Sequence, residues 1–121
     1  MTSTIATSTA YYNAPAFFDV WLRAVRLAGP QWFGDGSVEQ LAAARRIQDL
    51  APRYDDISDA LGWLSSSEKA FLVALYSFYN SYTTGPMFDQ IGVRGLADLS
   101  ARLDEPQCRV IADLLVSYSG W

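Results

Sequence analysis

The sequence predicts an all-α fold: a compact bundle of about five to six helices around one apolar helix. Three observations carry this. The stretch Ser65 to Tyr82, SSSEKAFLVALYSFYNSY, opens with Ser65 and Glu68 in capping-box spacing and is then almost wholly apolar from Ala70 to Tyr79. Other segments repeat apolar residues at helical spacing between clear start and stop residues. No alternation of strand length occurs outside residues 2–6. A helix with no wide polar stripe belongs inside a globular core, and this one is too short to span a bilayer. Residues 66–82 are therefore the expected central helix.

Residues 1–12 are Ser/Thr-rich and read as a flexible N-terminal arm, with Tyr11 and Tyr12 able to pin its end to the body. Residues 13–121 read as a single helical domain, with no internal repeat and no shift of composition. Asn13 is placed to cap a first helix and Pro15 suits its first turn. Phe18, Trp21, Leu22 and Val25 form its apolar face, Asp19 and Arg23 are spaced to pair, and Gly29-Pro30 stops it. The loop QWFGDG follows. Ser37 with Gln40 opens a second helix, whose inward stripe is Val38, Leu41, Ala44, Ile47 and Leu50 or Ala51, and Pro52 ends it.

Residues 54–62 predict a short helix capped by Asp55 or Asp56 and closed by Gly62, with Trp63 and Leu64 packing its end. After the central helix, Thr83-Thr84-Gly85-Pro86 reads as a break, and Met87, Phe88 and Ile91 as one helical turn bounded by Gly92 and Gly95. A helix from Leu96 to Leu103 puts Leu96, Leu99 and Leu103 on one face. Asp104 with Gln107 caps the last helix, whose inner face is Val110, Ile111, Leu114, Leu115 and Tyr118, with Gly120 as terminator before Trp121.

Composition removes several function classes. Thirteen acids face nine bases, eight of them arginine. The nearest basic cluster, Arg45, Arg46 and Arg53, is interleaved with Asp49, Asp55 and Asp56, so direct nucleic-acid binding is disfavoured. Cys108 is the single cysteine, which rules out an internal disulfide and fits a reducing compartment. The N-terminal residues contain no basic residue and no apolar run, so a cytoplasmic protein with no membrane partner is expected.

There is no histidine. This removes Ser-His-Asp and Cys-His nucleophile arrangements, imidazole acid/base chemistry and most transition-metal sites. The glycines match neither phosphate-loop nor dinucleotide patterns. Asp55, Asp56 and Asp59, with Asp49 before them, are the densest acids, but they lack calcium-loop spacing and suit helix starts. No catalytic residue, metal or cofactor is expected, and an enzyme using carboxylates alone is the least favoured alternative. Lys69, in the first turn of the central helix, reads as exposed, and Cys108 as a small semi-buried side chain.

The aromatic residues divide in two. Trp21, Trp63, Phe71, Phe78 and Tyr118 fall on expected core stripes. Tyr11, Tyr12, Trp32, Phe33, Tyr54, Tyr82 and Trp121 fall on tails, loops or helix ends. Trp, Tyr and Arg supply much of the binding energy at protein interfaces. Asp49, Tyr54, Asp55, Asp56, Asp59, Trp32 and Tyr82 are accordingly the expected protein-binding residues.

The runs SSSEKAFLVALYSFYNS and IADLLVSYSGW resemble short proteins encoded by phages and other bacterial mobile elements, over roughly residues 60–121. Proteins of that size and origin include anti-CRISPR-type inhibitors, which act by binding a host complex. The resemblance implies an inhibitor of a defence complex that itself holds nucleic acid, and no shared motif carries family residues onto this chain. The alternative is a structural subunit that buries its surplus aromatics as a homodimer.

Overall fold

The computed structural model describes residues 14–118, which fold into seven α-helices. These are α1 (Ala14–Ala28), α2 (Val38–Ala43), α3 (Tyr54–Ala60), α4 (Ser66–Tyr79), α5 (Ser81–Ile91), α6 (Leu96–Arg102) and α7 (Glu105–Ser117). Two short 3₁₀ turns, Pro30–Trp32 and Ile47–Leu50, join the first three. The described residues contain no strand, only an isolated bridge between Phe33 and Pro52. The proposed arm, Tyr11, Tyr12, the Asn13 cap, Gly120 and Trp121 lie outside the described residues. No described helix is long and apolar enough to cross a membrane.

The all-α bundle around a central apolar helix is what forms. Every residue from Ala70 to Tyr76 in α4 is buried, on all sides of the helix. Its start is the expected capping box: Ser65 Oγ accepts from the Glu68 N–H at 3.2 Å, and the Glu68 carboxylate accepts from the Ser65 N–H at 3.1 Å. Helices α1 and α7 pack against each other antiparallel. Arg23 pairs with Asp113 at 2.9 Å, and the Phe17 and Tyr118 rings meet at 5.5 Å. Phe17, Trp21, Ala24 and Val25 of α1 and Val110, Ile111 and Leu114 of α7 join the same core. Asp104 and Gln107 form the second expected capping box.

Several local expectations are corrected. The central helix ends at Tyr79 rather than at residue 82, and Asn80 both terminates it and caps α5, its side chain accepting from the Thr83 N–H at 3.1 Å. Thr83-Thr84-Gly85-Pro86 is thus the body of a helix and not a break. Pro86 removes the amide that would reach the Tyr82 carbonyl. Both residues are exposed, so water can satisfy that carbonyl.

The expected second helix is split. Ser37 caps it as anticipated, but α2 stops at Ala43 and Ala44 turns to an extended conformation. The Asp49 carboxylate accepts from the Arg45 and Arg46 N–H groups, at 3.0 and 3.3 Å, and so starts the following 3₁₀ turn in place of a continued helix. In α3 the residue at the cap is Arg53, with Asp55 and Asp56 inside the first turn, where their charge suits the helix dipole.

Gly34 has φ +60°, and a Cβ there would stand 2.6 Å from the Asp49 carbonyl oxygen, so the loop needs glycine at this point. The chain registers here through Gly34 N–H to the Ala51 carbonyl and Arg53 N–H to the Trp32 carbonyl. Some inward assignments also fail. Trp63, Val38, Leu96, Leu115 and Tyr118 are exposed, whereas Phe17 is fully buried. Asp19 is not the partner of Arg23, because Asp113 on α7 holds it.

Candidate functional site

The ends of α3 and α4 bring three tyrosines together, and a fourth stands exposed at the start of α5. Tyr54 opens α3, Tyr76 and Tyr79 close α4, and Tyr82 lies in the first turn of α5. The Tyr54 and Tyr76 ring centroids are 6.0 Å apart in an edge-to-face arrangement, and Tyr76 and Tyr79 are 6.4 Å apart. Such pairs hold their rings in place by quadrupole contacts as well as burial. Tyr76 is the buried member, and burial pushes its phenol above the ordinary value, with Tyr54 and Tyr79 adding to that effect. Asp55, next to Tyr54 in the chain, adds a smaller push in the same direction. Tyr82 stands almost fully in solvent, at 94 % exposed.

The sharp reversal between α4 and α5 creates this display. Asn80 accepts from Thr83 and, through its own N–H, donates to the Tyr76 carbonyl at 2.9 Å.

The acidic residues separate into engaged and free groups. Asp49 is spent on the Arg45 and Arg46 backbone, which holds its carboxyl below the ordinary value, and it also meets the Arg46 side chain at 3.4 Å. Asp56 pairs with Arg53 at 2.6 Å, and Arg53 also donates to the Gly34 carbonyl. Asp55 and Asp59, one turn apart on α3, are exposed and have no ion pair among the described residues. No described group of three His, Cys, Asp or Glu is arranged to hold a metal ion.

Among the residues expected to bind protein, Tyr54, Asp55, Asp59 and Tyr82 therefore lie exposed on α3 and α5. Asp49 and Asp56 are tied up in structural bonds. Trp32 is buried at 8 % exposed, so it is a core residue and cannot be an anchor. The solvent-facing indole next to it is Trp63, with centroids 6.3 Å apart. Tyr79 was hidden in the sequence by the apolar run it ends; its place in the last turn of that run is the signal that could have singled it out.

Comparison of the chain with protein-family models, curated proteins and solved structures finds no match.

Proposed function

We infer that this is a non-enzymatic protein that works by binding another protein through the face formed by Tyr54, Asp55, Asp59, Tyr79 and Tyr82. The observation that carries this is the ring packing of Tyr54, Tyr76 and Tyr79 at the ends of α3 and α4, with Asp55 and Asp59 exposed and without an ion pair on α3 and Tyr82 almost fully exposed at the start of α5. Tyrosines give large contact area at small entropic cost, and the rings of Tyr54 and Tyr79 are already held by Tyr76. The free carboxylates favour a basic partner surface and speed encounter with it. An arginine- and lysine-lined nucleic-acid groove on a bacterial defence complex, the partner that the resemblance implies, is such a surface.

The test is co-purification of the tagged full chain from its native host, in parallel with Tyr54→Ala/Tyr82→Ala and Asp55→Lys/Asp59→Lys variants. Wild type is expected to retain a specific partner, and each variant to lose at least about tenfold in affinity while keeping its helical circular dichroism. Equal retention by the folded variants would remove this face from consideration. A wild-type dimer that both variants convert to monomer would instead favour the self-associating subunit.

A further inference from the structure

Beyond the tyrosine face, α1 and α7 leave between them an open surface groove of about 580 Å³. Arg23 and Arg26 of α1 and Arg109 of α7 line it, together with Glu105, Leu27 and Pro106. Three of the eight arginines of a chain of net charge -4 thus line one groove.

The three arginines are in different states. Arg23 gives one Nη1 contact to Asp113 at 2.9 Å, and Arg109 gives its Nε to Glu105 at 2.8 Å. Each guanidinium has five N–H donors, so most of each fork remains unused. Arg26 has no ion pair among the described residues. Every acid of the chain lies between Asp19 and Asp113, so the residues outside the described part contribute no carboxylate side chain to it.

A ligand must compete with Asp113 and Glu105 for Arg23 and Arg109. A monoanionic carboxylate has no advantage over the two already there. A phosphate monoester carries about −1.5 to −2 charge at neutral pH and three acceptor oxygens, enough to span three donors. Leu27, 45 % exposed, and Pro106 offer apolar surface beside them. We propose that this groove binds a small organic phosphate monoester, its dianionic head on Arg23, Arg26 and Arg109 and its apolar body on Leu27 and Pro106.

Phenyl phosphate is the probe, titrated into the full ¹⁵N-labelled chain at neutral pH and followed by amide shifts. Saturable shifts centred on Arg26, Leu27 and Arg109 are expected, with benzoate at least about tenfold weaker for its lower charge. Arg26→Gln, which keeps a good helix former at an exposed site, should weaken phenyl phosphate about tenfold, and Arg109→Gln likewise. The proposal is overturned by the absence of saturable shifts, or by unchanged affinity in Arg26→Gln. Inorganic phosphate binding as tightly as phenyl phosphate would overturn the role given to Leu27 and Pro106. Tighter binding of a pentaglutamate peptide would overturn the small-molecule assignment in favour of an acidic polypeptide.

Discussion

The indole N–H of Trp21 donates to the Leu50 carbonyl at 3.1 Å, and both residues are buried. This bond ties α1 to the 3₁₀ turn at Ile47–Leu50, across 29 positions of sequence. Trp21→Phe leaves that carbonyl without its donor and opens space between the rings of Phe17 and Phe33, which flank it. A loss of about 2 to 4 kcal/mol is expected in urea unfolding, against less than about 0.5 for the exposed Val116→Ala.

The reversal at Asn80 and the helix after it make opposite predictions. Asn80→Ala removes the side-chain acceptor for Thr83 and should cost about 1 kcal/mol. Gly85→Ala should add about 0.5 to 1 kcal/mol, because nothing lies within 4 Å of the new Cβ and alanine suits a helix interior. Gly34→Ala, at φ +60° and against the Asp49 carbonyl, should destabilise instead. Thermal melts of the three variants check the signs.

Acid should loosen the start of α4. The Ser65 hydroxyl, and then the Ser65 backbone N–H, hold the Glu68 carboxyl below its ordinary value. A carboxylate lowered by folding contributes stability that is present above its unfolded pKa, about 4.3, and lost as pH falls through the folded value. Melting temperature should therefore drop below about pH 4.3, and Glu68→Gln should flatten that part of the profile.

Base should act on Tyr76. Burial, then the neighbouring Tyr54 and Tyr79, raise its phenol, so the folded state keeps a proton that the unfolded chain releases near pH 10. Stability is retained below about pH 10 and falls as pH rises toward the folded value. Tyrosinate absorbance should show a late-titrating group that Tyr76→Phe removes.

The helical bundle was legible because its strongest signals are local. Ser65 with Glu68, Asp104 with Gln107, and the unbroken apolar run from Ala70 are patterns whose physics acts within one or two turns. The misread segments are those decided from a distance or by a competing local bond. Gly85-Pro86 looked like a stop, but a proline on the wet side of a helix leaves a carbonyl that water can serve. Asp49 looked like a surface acid, yet it ends α2 by taking two backbone amides. Trp63 and Trp32 exchanged roles because the burial of adjacent Leu61 and Leu64 turns residue 63 outward. The candidate face shows the same division. Tyr54 and Tyr82 were visible as helix-end aromatics, whereas the packing of Tyr54 on Tyr76 depends on how two separate helices meet.

The pairing of α1 with α7 has a consequence for how the protein is made. Phe17 and Trp21 leave the ribosome well before Val110, Ile111 and Leu114, the α7 residues that share their core. Closing so long a loop is entropically slow compared with forming the α4–α5 hairpin. A chain stalled before Asp104 therefore carries an uncovered greasy flank, and its fate depends on chaperones until translation resumes.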